Sequence, residues 1–295
     1  MKTTPEAFEA FRQRLELSST EAEDARRRHK SVRDEIKSAF DVEGDFLTGS
    51  YARHTKTKPL KDVDIFFPLV GDSKKKWRDK APREVLDAFK ECLGKTYGVD
   101  SVECGRRCVT VTFDKRNPTV SEDAKILSID AVPAVALSDC YEIADGHLGR
   151  WIKSNPDVHA TESTAKNKSL DCKWVPLVKM LKAWNRQAGK PIEPSFLVEV
   201  MAQSLVDGPF TSYPSEVRRF FAASLDGINQ EWPDPAGYGP PVSDQMTAEK
   251  RTAAGVALRK AEVDATRAVR FEKEGRQGEA LALWRQILGQ YFPAT

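Results

Sequence analysis

Asp62-Val63-Asp64-Ile65-Phe66-Phe67 is the stretch on which both the fold and the chemistry turn. Its β-branched and aromatic residues, continuing to Val70, spell a strand. In a strand, residues i and i+2 face one side, about 7 Å apart along the chain. Asp62 and Asp64 therefore project together, while Val63 and Ile65 face the opposite, buried side. Two carboxylates on one face repel each other unless a cation joins them, and an oxygen-seeking ion such as Mg²⁺ suits the pair. Taken alone, an Asp-x-Asp is more often two solvated aspartates at a strand end.

Asp130 shifts that balance. It lies inside Ile126-Leu-Ser-Ile-Asp-Ala-Val-Pro-Ala-Val135, an otherwise apolar run, where an unpaired carboxylate is costly to bury. If this strand neighbours that of Asp62 and Asp64, three carboxylates converge, enough to hold two divalent cations. Gly49-Ser50 adds a third part, with Ser50 only 12 residues before Asp62. After Asp45-Phe-Leu-Thr the chain must turn, and glycine allows close backbone approach to an anion. Ser50 and the N–H groups of Tyr51 and Ala52 would then face a phosphate.

Around this centre the chain divides by pattern. Residues 5–40 read as helix, with Thr4 as N-cap before Pro5. Ser18 and Glu21 make a capping box that splits the segment, and the second helix runs to about Phe40. Its many charges (Arg26, Arg27, Arg28, Lys30, Arg33, Asp34) suit a solvated helix bracing a sheet. Val109-Thr-Val-Thr-Phe alternates as a strand does, one helix spans about 82–93, and Lys74-Lys75-Lys76 falls in a solvated loop. From Lys168 onward the spacing is helical: Leu177, Val178, Leu181 and Trp184 recur on one face, with further helices near 195–205, 214–224, 245–273 and 278–291. The expected fold is α+β: a mixed sheet braced by N-terminal helices over 1–165, a helical lobe over 166–295, and the active site in the cleft between them.

Composition bounds the function. Of 295 residues 40% are hydrophobic and 31% charged, with a net charge of +2, which excludes a strongly basic nucleic-acid coat. No run approaches the roughly 18 apolar residues of a membrane span, and residues 1–14 lack a signal peptide's apolar centre. Five cysteines without regular spacing fit a reducing cytoplasm. A zinc site at Cys104 and Cys108 would lack a His or Cys cluster to complete it.

The residues quoted resemble the polymerase-β-like nucleotidyltransferase superfamily, with its Gly-Ser turn, Asp-x-Asp strand and third acidic strand. Within it the chain looks like the cGAS/DncV-like nucleotidyltransferases of bacterial anti-phage (CBASS) signalling, relatives of oligoadenylate synthase. Gly49-Ser-Tyr-Ala-Arg-His-Thr, Asp62-Val-Asp-Ile-Phe, Leu127-Ser-Ile-Asp-Ala-Val-Pro-Ala and Leu177-Val-Lys-Met-Leu-Lys-Ala-Trp-Asn carry the likeness, which runs over nearly the whole chain. It implies an enzyme that joins nucleoside triphosphates, ATP foremost and GTP or others besides, into cyclic di- or trinucleotide second messengers with pyrophosphate release. It also implies two Mg²⁺ (Mn²⁺ as the alternative) on Asp62, Asp64 and Asp130, and donor phosphate on the Gly49-Ser50 turn. Lys179 matches the family's triphosphate-binding lysine, with Lys182 one turn on as a second candidate. Ser195 matches a phosphate-contacting serine, and Phe196 sits where an aromatic ring stacks on the base. A regulatory protein partner fits the family. Without a zinc-ribbon insertion, direct DNA activation is not expected; without a long apolar run, neither is a membrane partner.

Two rival functions share these residues. A template-independent transferase acting on RNA ends or on a small-molecule acceptor would use the same acidic triad. A catalytically silent nucleotide-binding scaffold would keep the fold alone. For the secondary residues the plain alternatives are solvated lysines at Lys179 and Lys182 and a core ring at Phe196.

Overall fold

The N-terminal helical stretch breaks where its capping pattern predicts, giving α1 (Thr4–Arg14) and α2 (Ser19–Ala39). Ser18 accepts from the Glu21 N–H while the Glu21 carboxylate accepts from the Ser18 N–H, so two orphan donors are satisfied reciprocally. At α1 the cap is Thr3 rather than Thr4, in the same kind of box with Glu6. Thr4 is already helical, because it is Thr3 that has an acidic residue three positions on.

The computed structural model describes residues 2–113 and 128–294. They fall into two compact units, Leu17–Ala160 and a second comprising Met1–Glu16 with Thr161–Thr295. Chain order alone divides the protein at 165. The packing sends α1 to the C-terminal unit because its apolar face, Ala7, Phe8 and Phe11, is fully buried there. Phe8 meets Trp284 at 5.0 Å and Phe292 at 5.2 Å between ring centroids. Burying each such ring is worth about 1.5–3 kcal/mol.

In the first unit the strands are β1 (Phe46–Leu47), β2 (Asp62–Pro68), β3 (Val102–Cys104), β4 (Val109–Thr112), β5 (Ser128–Ala136), β6 (Tyr141–Asp145) and β7 (Arg150–Ser154). The sheet runs β1-β2-β5-β4-β3, with β6 on β5 and β7 on β6. β2 and β5 are parallel and the other pairs antiparallel, making the sheet mixed as expected. Ile126 and Leu127, which the apolar run also contains, lie outside the described residues.

One face of this sheet presents Val63, Ile65, Phe67, Val109, Val111, Ile129 and Ala131. They form a single core with Val32 and Ile36 of α2. The same core takes Val85, Leu86 and Phe89 of a helix spanning Pro82–Tyr97. Two shorter helices precede that one in the chain: α3 (Gly49–Ala52) and α4 (Gly71–Arg78), which makes it α5. The Lys74-Lys75-Lys76 run thus lies in helix α4, not in a loop. Lys76 covers the Trp77 ring at 4.5 Å, and lysine's long stem supports such a contact while its charge stays in water.

The charges of α2 are less solvated than their number suggests. Arg28 is buried, donates to Asp24 at 2.7 Å and lies 4.8 Å from the Phe113 ring. Arg33 and Lys37 both pair with Asp45, tying the helix to the segment that enters β1.

The second unit is helical: α6 (Pro156–Ser169), which straddles the boundary, then α7 (Trp174–Gln187), α8 (Ser195–Leu205), α9 (Tyr213–Gly227), α10 (Ala248–Lys273) and α11 (Gln277–Leu288). Expected and observed bounds differ by a few residues at most for α8 to α11, since each has a clear apolar stripe. α6, PDVHATESTAKNKS, has no such stripe, which leaves periodicity nothing to register. Among the described residues no helix is long and apolar enough to cross a membrane.

Candidate active site

The register of two parallel strands assembles the acidic cluster. β2 pairs with β5 so that Asp62 lies beside Ser128 and Asp64 beside Asp130. Period-two alternation puts all three aspartates on the face opposite the α2–α5 core. Asp62 is exposed, and Asp64 and Asp130 are half-buried. Two residues beyond each of the inner pair, the same face turns apolar: Phe66 and Val132 pack with Phe46, Tyr141, Ile143 and Ile152. The carboxylates therefore stand at the edge of a small hydrophobic patch that the sequence reading did not anticipate.

That setting has an electrostatic consequence. Burial pushes the Asp130 carboxyl up to about 6, with the neighbouring Asp62 charge adding to the rise and the Thr110 hydroxyl opposing it. The Cys108 thiol, close by, is driven well above the usual range by burial and by the charges of Asp130 and Asp64. A negative site that resists further negative charge is what a bound cation relieves.

The glycine turn is pressed against the same cluster. Gly49 has φ near +60°, and a Cβ there would meet Asp64 Oδ2 at 1.8 Å and Cγ at 2.6 Å. The Thr48 N–H donates to the Asp64 carbonyl at 2.9 Å. The close approach that glycine permits is thus made first by a carboxylate of the protein itself. Ser50 is half-buried in α3 beside it, and its carbonyl accepts from the N–H groups of Thr55 and Lys56 at 3.0 and 3.1 Å.

The donor set fits a hard divalent cation. Its oxygen donors are the carboxylates of Asp62, Asp64 and Asp130 on one face of β2 and β5. Among the described residues no group of three or more His, Cys, Asp or Glu side chains is arranged to hold a metal ion. Mg²⁺ does not require one, since it keeps waters and binds through one or two carboxylates plus substrate phosphates.

A second acid organises the hairpin that flanks Asp130. Asp145 is fully buried at the end of β6. It accepts from Arg106 Nε and Arg107 Nε, both at 2.9 Å, and from the N–H groups of His147 and Leu148 at 3.0 and 2.9 Å. Burial acts to raise its pKa, but the Arg106, Leu148 and Arg107 hydrogen bonds outweigh it and hold the carboxyl down to about 2. Arg106 and Arg107 form the turn between β3 and β4, so Asp145 fixes the strand carrying Cys108 and Thr110. Cys104, on the other side of that turn, points to Leu86 and Asp87 of α5, which disposes of a shared zinc site.

Asp145→Asn should cost about 2–3 kcal/mol of unfolding free energy, because it removes the charge of a fully buried acid that two half-buried arginines face. A folded-state pKa that is depressed stabilises above the unfolded value and is lost as pH falls through the folded one. The gap in stability between wild type and variant should therefore narrow as pH drops from about 4 towards about 2. Thermal unfolding measured across that range checks it; a gap independent of pH would remove the ionic role of Asp145.

The other sequence candidates belong to the helical unit. Lys179 is almost entirely buried and donates to both oxygens of Glu16, at 2.6 and 2.7 Å. Lys182 is also buried and pairs at 2.6 Å with Glu199, itself 2% exposed. Neither is a solvated lysine. Ser195 is exposed at the first turn of α8, and Phe196 packs, half-buried, on the helical core. Glu16 and Glu199 had no signal in the sequence, since each meets its lysine only through helix packing.

Residues 1–167 match the Second Messenger Oligonucleotide or Dinucleotide Synthetase (SMODS) domain. The chain belongs to the SMODS family. It is a nucleotidyltransferase of that family, with the polymerase-β-like α+β fold that the resemblance implied, and the resemblance to cGAS/DncV-like enzymes is borne out. A cyclic AMP-AMP-AMP synthase of Acinetobacter sp. is 29% identical over 323 residues, covering 99% of this chain and 86% of the relative. Among solved structures, E. coli MS115-1 CdnC with ATP superposes with a TM-score of 0.73 at 19% identity, covering 98% of this SMODS chain and 99% of CdnC. The complex of CdnC with HORMA-deltaN gives 0.71 at 19% identity, with 98% of both chains covered.

Proposed function

We propose that this SMODS-family enzyme joins nucleoside triphosphates, ATP among them, into a cyclic di- or trinucleotide, releasing pyrophosphate, as a second messenger in bacterial anti-phage defence. The observation that carries the reading is the pairing of Asp64 with Asp130 across β2 and β5, with Asp62 on the same face. Asp62, Asp64 and Asp130 would hold two Mg²⁺, which supply charge neutralisation at the triphosphate and acidify the attacking ribose hydroxyl. Mn²⁺ suits the same oxygen donors.

The chain's own part is to position and to orient. Ser50, on the turn clamped to Asp64, offers a hydroxyl to the donor phosphates. Lys179 exchanges the Glu16 carboxylate for phosphate oxygens, and Ser195 adds a second hydroxyl. Lys182, neutralised by buried Glu199, braces α7 against α8, and Phe196 shares its ring between core and base. In-line attack then depends mainly on alignment, which can contribute many orders of magnitude in rate. The Acinetobacter relative's product supports an adenine-containing ring, and the CdnC complex supports a regulatory protein as partner.

Incubation with the four NTPs and Mg²⁺, phosphatase treatment and mass spectrometry of what survives form the test. Phosphatase-resistant cyclic species are expected. Elongated RNA ends, or a nucleotidylated small molecule with no cyclic species, would replace this reading with the template-independent transferase.

A further inference from the structure

We propose that Thr110 is a positioning residue for Asp130, orienting its carboxylate towards the cation site. The inference rests on the reading of Asp62, Asp64 and Asp130 as metal ligands. Thr110 is the register partner of Asp130 across β4 and β5. Its Oγ1 donates to Asp130 Oδ1 at 2.7 Å, the short distance of a charge-assisted hydrogen bond.

A carboxylate held at Oδ1 by Thr110 and bonded as well by the Cys108 side chain cannot turn freely about its last torsion, so its oxygens keep a defined direction. Cys108, two residues before Thr110 and on the same face, brings its sulfur to 3.9 Å from the Thr110 hydroxyl. The hydroxyl is thus enclosed between sulfur and carboxylate. Upstream, the Arg106–Arg107 turn is bolted to buried Asp145, so the strand delivering Thr110 is itself fixed. Residues that orient metal-binding carboxylates from outside the ligand set commonly control affinity as strongly as this arrangement suggests.

A purely structural role would look different. β4 is secured to β5 by a backbone ladder over Val109–Thr112, and valine has the shape and strand preference of threonine. If Thr110 only filled space, Thr110→Val would be silent.

The experiment is Mn²⁺ titration of the full chain followed by electron paramagnetic resonance of the free ion, with thermal unfolding of each metal-free protein alongside. Thr110→Val should weaken Mn²⁺ binding about tenfold or more, with Thr110→Ser within about threefold of wild type and metal-free stability little changed. Wild-type Mn²⁺ affinity in Thr110→Val, where Asp64→Asn has lost it, would overturn the proposal and leave the metal site standing. Equal Mn²⁺ binding by wild type and Asp64→Asn would instead remove the carboxylate site, and the role of Thr110 with it. Should Thr110→Val fail to fold, Thr110→Ala against Thr110→Ser decides the matter: weakened binding in Ala alone supports the hydroxyl, and equal binding overturns it.

Discussion

Asp64→Asn and Asp62→Asn should each lower the rate of nucleotide joining by about a hundredfold to a thousandfold, the scale of losing one preorganised electrostatic group. The fold should survive both changes. Asparagine keeps the shape of aspartate and removes a charge from a face where Asp62 already helps push the Asp130 carboxyl up to about 6. Relief of that repulsion predicts a metal-free melting temperature equal to or above that of wild type, with lower activity. Product quantified from labelled NTPs, together with thermal unfolding, separates the two effects. Activity within tenfold of wild type in either variant would take that aspartate out of the catalytic set, whereas a large drop in melting temperature would make it a structural acid instead.

Gly49→Ala carries the second large effect, and for a different reason. A Cβ at this position would lie 1.8 Å from Asp64 Oδ2, so the carboxylate must swing away or the turn must open. A displacement near 1 Å in a catalytic group can cost about a hundredfold in rate, and a loss of that size or larger is expected. The positive φ adds a separate penalty of about 1 kcal/mol for any residue with a side chain. Gly44→Ala is the control, since Gly44 also has positive φ, near +70°, but nothing lies within 4 Å of a Cβ there. Gly49→Ala should lose at least as much stability as Gly44→Ala, which bears the backbone penalty alone, and only Gly49→Ala should lose activity. Equal activity in the two would show that the contact with Asp64 is unimportant.

Much of the site was legible because its signals are local. A strand's period of two is enough to place Asp62 with Asp64 and to oppose Val63 with Ile65. A lone acid in the apolar run around Asp130 is visible without any neighbour. The same holds for the Ser18–Glu21 box and for the apolar stripes of α8 to α11. Thr110 lay halfway in view. The alternation in Val109-Thr-Val-Thr puts it on the polar face of a strand, but nothing in the chain says that this face meets Asp130. The buried lysines illustrate the opposite failure. Lys179 and Lys182 sit on a helix like any surface pair, and only packing supplies Glu16 and Glu199.

Of the three aspartates and their surroundings, then, the sequence alone determined which residues share a strand face and where a backbone must turn, because backbone geometry repeats over two to four residues. Tertiary structure alone decided that β5 lies beside β2 in a register matching Asp130 to Asp64, and that Gly49 abuts that carboxylate. It likewise decided that Thr110 holds Asp130 and that α1 joins the far end of the chain. Each of these is a contact between segments many residues apart, chosen by which apolar faces can be buried together.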